Sequence, residues 1–463
     1  MRYISTRGEA PVLDFTGAML SGLARDGGLY LPDHWPRFSA ADWRALRGKP
    51  YADVSFAICR SFVAGSIPDA DLKTMMAAAY AGFGHTAVTP VKQLAANHFL
   101  LELFHGPTLA FKDVAMQLLS RLMDWSLARA GRRATIVGAT SGDTGGAAID
   151  AFKDSSQVST FILYPHGKVS EVQRRQMTTV ASPAVHCVAL EGTFDDCQAI
   201  VKTLFNDHAF RDGVGLAGVN SINWARIMAQ IGYYAFAALA LGAPDRAVSF
   251  TVPTGNFGDI FAGHAARLMG LPVDRLVIAT NQNDILDRTL KTGRYEVTGV
   301  THTASPSMDI QVSSNFERLL YLVHDGDAAA LRRLMAGLSQ SGSFTIAEPA
   351  LTRLREGFAS GATSEQETLA TIRTLQEETG EVIDPHTAVA CAVARRMMTD
   401  ASPMVTLATA HPAKFPDAVE QATGLRPGLP PRLSGLLAAP ERFTVLPNNA
   451  AAVKDHILAR IGS

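Results

Sequence analysis

The chain has 463 residues, of which 47% are hydrophobic and 18% charged; that is enough for two or three domains of about 150 residues around a large buried core, and it excludes intrinsic disorder. Lys and Arg number 42 against 43 Asp and Glu, a formal charge of −1, so no global basic field exists to hold nucleic acid or an anionic membrane, and the expected partner is a small molecule. No apolar run reaches the roughly 20 residues that span a bilayer, and residues 1–11 lack the apolar core of a secretion signal, which gives a cytoplasmic expectation.

In chain order, residues 53–64 and 69–81 read as Pro-bounded helices in a helical lead-in. From about residue 132 the pattern changes to short β-rich runs, each followed by a turn and a helix-period segment. Strands at 134–138, 160–164 and 184–190 alternate with helices at 144–152, 169–180 and 194–205. A long amphipathic segment, 223–241, interrupts the rhythm; overlapping its end, the run 231–243 reads as a buried helix. Strands at 248–252 and 275–279 follow, with helices from Asp259 and Asp284, then a mostly helical stretch, 315–398. A last strand, 404–409, precedes a helix near Pro416, and the Pro- and Leu-rich segment 426–447 reads as an ordered surface tail without chemistry. Strands alternating with helices imply parallel βαβ units, so the fold class is α/β. Cys59, Cys187, Cys197 and Cys391 show no metal or redox spacing, and no His-Glu-x-x-His pattern occurs, so no metal is expected.

Ligands of doubly wound sheets sit beyond the carboxyl ends of the strands, which directs attention to the loops there. The loop 138–146, Gly138-Ala-Thr-Ser141-Gly142-Asp143-Thr144-Gly145-Gly146, brings hydroxyls and glycine amides to a helix N-terminus, a place where a carboxylate or phosphate is held; a capped tight turn would use the same residues. The loop 253–259, Pro253-Thr254-Gly255-Asn256-Phe257-Gly258-Asp259, has the form of a phosphate cup without the Lys-Ser/Thr ending of a nucleotide P-loop, and an N-capped turn is its plain alternative. Only ten lysines occur, and Lys112 alone lies among apolar and aromatic neighbours, in Phe104-His-Gly-Pro-Thr108-Leu-Ala-Phe111-Lys112-Asp113. Desolvation there lowers an amine's pKa and favours the neutral nucleophile, whereas a snorkelling lysine at a helix start is the structural reading. A desolvated lysine, an anion cup and a hydroxyl-rich loop together supply what pyridoxal 5'-phosphate requires.

Seven stretches, in order to about residue 424, give the chain its family resemblance. They are Tyr3-Ile-Ser-Thr-Arg7-Gly8, the segment 22–32, His105 to Asp113, Ala139 to Gly145, Asn220-Ser-Ile-Asn223-Trp224-Ala-Arg226, Gly255 to Asp259, and Leu407-Ala-Thr409-Ala-His411-Pro-Ala-Lys414-Phe415. With them the chain resembles the threonine synthases of the longer microbial and fungal type, within the fold type II, tryptophan-synthase-β-like, pyridoxal-phosphate enzymes. The resemblance implies two α/β domains with parallel-rich sheets flanked by helices, plus a mainly helical N-terminal domain. The divisions expected are 1–98 for that N-terminal domain, 99–245 for an α/β domain carrying the lysine and the 138–146 loop with a smaller domain nested in it, and 246–463 for a larger α/β domain with the phosphate loop and tail.

Residue by residue, the resemblance implies that Lys112 is catalytic and forms the Schiff base. Gly255, Asn256, Phe257, Gly258 and Asp259 would hold the cofactor phosphate, and Thr409 the pyridine nitrogen. Thr140, Ser141, Gly142, Asp143, Thr144, Asn223, Arg226, His411 and Lys414 would meet substrate, with Lys414, His411 and Arg226 supplying charge for the leaving phosphate. Many relatives carry Asn where Asp143 stands. The implied reaction takes O-phospho-L-homoserine and water to L-threonine and phosphate, in a monomer or weak homo-oligomer. Beside these roles stand plainer ones: Arg226 paired with a carboxylate on its own helix, His411 in a turn before Pro412, Trp224 in the core, the segment 25–28 as a turn, Arg174 and Arg175 on a solvated face, and Asp195 and Asp196 at a helix start. The competing functions are another pyridoxal-phosphate lyase of this fold, such as a serine or threonine dehydratase or a phospho-lyase, a Rossmann-type nucleotide-binding module, and a noncatalytic scaffold.

Overall fold

A computed structural model describes residues 1–461. Six strands form one sheet in the order Phe358–Ala362, Val273–Thr280, Val248–Pro253, Met404–Ala408, His98–Glu102 and Val91–Ala95. All neighbours are parallel except the last pair, a hairpin at the edge. The central strands Val248–Pro253 and Met404–Ala408 are buried at every position, as strands covered by helices on both faces must be, so they read as continuous apolar or β-branched runs.

A second sheet of five parallel strands runs Thr444–Pro447, Val185–Glu191, Val158–Pro165, Ala134–Ala139 and Leu216–Ala217. Its helices Asp143–Phe152, Glu171–Thr178 and Phe194–Asn206 follow the expected segments to within about two residues at each end. The last is closed by a capping box in which Thr193 and Asp196 satisfy each other's backbone amides, which accounts for the acidic pair at its start.

Two helices carry the core between the sheets. Lys112–Ala130 begins at the expected nucleophile, and Trp224–Ala240 is buried on almost all sides, as a helix apolar all round must be. The N-terminal region packs its helices Tyr51–Val63 and Asp69–Tyr80 into the same core, where Tyr3, Trp35, Phe62 and Trp224 meet with ring centroids 5.6 to 6.4 Å apart. Asp26 accepts from the Ser5 hydroxyl and from the amides of Glu9, Ala10 and Gly28, so the segment 25–28 is a structural turn. Among the described residues no helix is long and apolar enough to cross a membrane.

Sheet membership cuts across the divisions drawn from the sequence. Val91–Ala95 lies in the stretch read as helical, yet it is the outer strand of the six-stranded sheet; its half-polar, largely exposed pattern is that of an edge. Phe358–Ala362 interrupts the stretch read as mostly helical, because its small residues carry no apolar run to mark a strand. The tail segment 426–447 ends in Thr444–Pro447, which extends the five-stranded sheet and not the six-stranded one.

Candidate active site

The loops singled out by the sequence converge beyond the carboxyl ends of the two sheets. Strand His98–Glu102 leads through residues 103–111 to Lys112, and its neighbour Met404–Ala408 leads to Thr409. Beyond the strands these loops continue to pair: Phe111 N–H donates to Thr409 O at 2.8 Å, His411 N–H to Leu109 O at 3.0 Å, and Ala110 bridges Ala410. Lys112 is thereby fixed beside Thr409. Asp113 closes the preceding turn by accepting the Thr108 amide at 2.8 Å and hydroxyl at 2.6 Å, and burial pushes its pKa up to about 6.

Lys112 is 9% exposed, with Nζ 4.9 Å from the centre of the Phe111 ring. Desolvation lowers its pKa, a pull opposed by Asp143 and reinforced by the nearby Lys414. Its polar neighbour is Asp143 Oδ2, 3.3 Å away. The other oxygen of that carboxylate, Oδ1, accepts from Gln173 Nε2 at 2.8 Å and lies 3.0 Å from Lys414 Nζ. Burial raises the Asp143 pKa, but Lys414, Lys112 and the Gln173 hydrogen bond together hold it well below the usual carboxylate range. Lys414, with no exposure, also donates to Thr108 O at 2.6 Å and Gln176 Oε1 at 2.9 Å.

The 253–259 loop forms the cup. Phe257 adopts a left-handed φ of 64°, rare for a non-glycine residue, and caps helix Gly258–Leu268 while its ring packs against Phe316 and Phe358 at 5.3 and 5.8 Å. Among the described residues the amides of Gly255, Asn256, Phe257, Gly258 and Asp259 have no recorded acceptor, which leaves a ring of donors at a helix N-terminus. A Cβ on Gly255 would stand 2.6 Å from Ser307 O, so glycine is required there by packing. The Asp259 carboxyl accepts from Tyr233 and Tyr234; burial lifts its pKa to about 6, and what it offers the cup is its backbone amide.

Other expected residues have different work. Asn223 caps helix Trp224–Ala240 by accepting from Ala225 N–H and donates to Met19 O and Gly218 O, so its amide is fully engaged by backbone. Thr140 accepts the amides of Gly142 and Gly145 and shapes its loop from within. His411 accepts from Ala413 N–H, and burial pushes its pKa down to about 4, so it is neutral near pH 7 and brings no charge. Among the described residues Arg226 is paired with no carboxylate; it donates to Val219 O at 3.2 Å, while its Nε is buried without a partner there. Ser141 is exposed at the loop tip, and Thr144 and the Thr409 hydroxyl have no partner among the described residues. Gly142, at φ 145°, lies against Gln173, whose side chain a Cβ would strike at 2.5 Å.

Sequence reasoning missed Gln173, Gln176, Ser307 and the Asp384–His386 pair. His386 Nδ1 meets Asp384 at 2.7 Å and its Nε2 accepts Ser307 N–H at 3.2 Å; the Ser307 hydroxyl stands 3.5 Å from Asp143 Oδ2. These residues lie in helices and loops far along the chain, outside any glycine-rich or lysine motif, and no local pattern marks them.

Comparison with known proteins places the chain in a family. Residues 2–80 match the family model described as threonine synthase N terminus, 81–410 that of pyridoxal-phosphate dependent enzymes, and 387–457 threonine synthase, C-terminal. The chain belongs to the threonine synthase family of pyridoxal-phosphate dependent enzymes. A threonine synthase of Pseudomonas aeruginosa is 53% identical over 99% of this chain and 98% of its own. The crystal structure of a pyridoxal-phosphate-bound threonine synthase from Brucella melitensis superposes with a TM-score of 0.98 at 59% identity, covering 99% of both chains. The yeast threonine synthase structure does so with 0.94 at 39% identity, covering 100% of this chain and 99% of that one. The site fits the cofactor that this threonine synthase family carries: a desolvated amine for its aldehyde, unpaired amides for its phosphate, and the free Thr409 hydroxyl for its ring.

Proposed function

We propose that this chain is a threonine synthase that converts O-phospho-L-homoserine and water into L-threonine and phosphate, the last step of threonine biosynthesis. The observation that carries the reading is Lys112, a desolvated amine held beside Asp143 and within the same loop cluster as a cup of unpaired amides. Pyridoxal phosphate, bound through Lys112 and that cup, supplies an aldehyde for covalent attachment and a ring that withdraws electrons from the substrate's α carbon. Lys112 Nζ, once free, is the base that takes the α proton and then a β proton, its lowered pKa favouring the neutral form needed for both.

The C–O bond at the γ carbon breaks with departure of phosphate, and one proton is delivered to the γ carbon, which becomes the methyl group. Water adds its hydroxyl at the β carbon while its remaining proton leaves with the phosphate, and Lys112 returns a proton to the α carbon, so that the two protons taken are the two given back. The loop amides and hydroxyls of Ser141, Gly142, Asp143 and Thr144 would receive the substrate carboxylate or the cofactor's ring oxygen, the ionised Asp143 side chain being kept for Lys112 and Lys414, and a neutral Thr409 hydroxyl would face the ring nitrogen without donating a full charge to it. Arg226, buried and without a carboxylate partner among the described residues, supplies fixed positive charge to the departing phosphate. The reading includes a cytoplasmic location and a monomer or weak homo-oligomer.

The test is to incubate the protein and a Lys112→Ala variant with O-phospho-L-homoserine while measuring phosphate and amino acids in the same tube. Equal amounts of threonine and phosphate are expected, with turnover falling by about 10³-fold or more in the variant. Phosphate released with a keto acid in place of threonine would overturn the reading in favour of a phospho-lyase.

A further inference from the structure

Asp143 lies between two ammonium groups. Its Oδ2 is 3.3 Å from Lys112 Nζ and its Oδ1 3.0 Å from Lys414 Nζ, and both the carboxylate and Lys414 are buried. The two lysines have different freedom. Lys112 must give up its charge to act as a nucleophile, and at that moment, were it not for Lys414, Asp143 would be an uncompensated carboxylate in a desolvated place, a strongly unfavourable state. Lys414 is held in place: its three N–H donors face three oxygens, Thr108 O at 2.6 Å, Gln176 Oε1 at 2.9 Å and Asp143 Oδ1. An ammonium so surrounded has no donor left for a substrate phosphate.

We infer that Lys414 is a positioning residue, the fixed countercharge that keeps Asp143 ionised and aimed at Lys112 while Lys112 cycles between charged and neutral forms. The inference rests on the cofactor site proposed above but not on the identity of the substrate. The other groups facing this pair are Gln173 and Ser307, which touch Asp143, His386, whose field reaches Asp143, the buried Asp113 carboxyl, which responds to Lys414, and Arg226 and Asp259, whose fields reach or respond to Lys112. None of them touches Lys414 apart from the shared Asp143 carboxylate.

The test uses the holoenzyme with no phospho-substrate present, reading the pH midpoint of the visible absorption band of the Lys112-bound cofactor and the cofactor's dissociation constant. Removing the cation in Lys414→Gln leaves Asp143 answering to Lys112 alone. The midpoint is expected to rise by about one pH unit or more, a tenfold change in proton affinity. Asp143→Asn is expected to lower it, and the double variant Lys414→Gln with Asp143→Asn to return it towards the wild-type value. If Lys414→Gln does not fold, the double variant, which no longer buries a lone carboxylate, is expected to restore a folded, cofactor-binding protein. A Lys414→Gln protein whose midpoint and cofactor affinity are unchanged, and whose only defect is a raised KM for O-phospho-L-homoserine, would overturn the inference and make Lys414 a substrate ligand. A double variant as unstable as the single one would overturn it as well. Failure of the substrate reading is separately visible, as a normal cofactor band and midpoint without threonine formation.

Discussion

Ser307 touches the site in two places, and both are single-atom matters. Its carbonyl occupies the space a Gly255 side chain would need, and its hydroxyl faces Asp143. Gly255→Ala would therefore press a methyl to 2.6 Å from a backbone oxygen that has no rotamer by which to retreat, and overpacking of this kind costs about 1–3 kcal/mol. Cofactor affinity is expected to fall about tenfold or more while the six-stranded sheet stays folded, measured by spectroscopic titration of the apoprotein. At Phe257 the backbone is left-handed, yet glycine would forfeit the ring packing against Phe316 and Phe358. Phe257→Gly is expected to lower thermal stability despite relieving φ, since losing a buried phenyl costs about 3 kcal/mol or more and the strain only about 1–2.

Among the elements, helix Glu171–Thr178 has the largest share in the site without carrying any expected site residue. Gln173 and Gln176 project from it to Asp143 and Lys414, and its other face is tied to the tail. Arg174, read from the sequence as solvated, instead forms a two-pronged pair with Glu441 at 2.8 and 3.0 Å, Thr178 donates to the same carboxylate at 2.7 Å, and Arg175 reaches Ala439 O. The tail is thus a clasp on the helix. Glu441→Gln keeps the shape but weakens three charge-assisted contacts, and a loss of about 1–2 kcal/mol is expected, a fall of a few degrees in Tm. A Tm equal to wild type would show that the clasp carries no energy.

At the scale of the whole molecule, the titration of buried groups sets an acid limit. Burial pushes the pKa values of His98, His411 and His456 down to about 4 and that of His264 to about 3. A depressed histidine means that the unfolded chain takes its proton first as pH falls, so folding stability drains away from about pH 6.5 down to the folded value. Asp113 and Asp259, raised to about 6, act in the opposite sense and regain part of it below that pH. The histidine shifts are larger and more numerous, so the net expectation is a Tm that declines below about pH 6.5. For His98, from 6.5 to about 4, the share is at most about 3 kcal/mol. In His98→Gln the decline between pH 6.5 and 4 is expected to be shallower; an identical slope would remove His98 from the account.

What was legible in the sequence was local. The alternation of β-rich runs and helical periods needs only neighbours within about ten residues, and it located the central strands of both sheets, because buried parallel strands are apolar throughout. The same holds for Lys112 and the glycine-bearing loops, where unusual residue types stand side by side. Edge strands such as Val91–Ala95 and Phe358–Ala362 left no such mark, since one side of each goes unpaired and tolerates polar or small residues. Nor could composition tell which expected residues keep their polar atoms free: Asn223 and Thr140 are consumed by backbone, whereas Arg226 Nε is not. The α/β fold class was already set by the alternation of runs in the sequence, and Lys112 and the 253–259 loop stood out in it as candidates. That Lys414 faces Asp143, that Gln173 and Gln176 reach the site, and that the tail clasps their helix became visible only in three dimensions, because these contacts join residues from 30 positions apart, as in Gln173 to Asp143, to 267 apart, as in Arg174 to Glu441, and further still between Lys414 and Asp143, where burial and charge pairing, and not local propensity, select the partners.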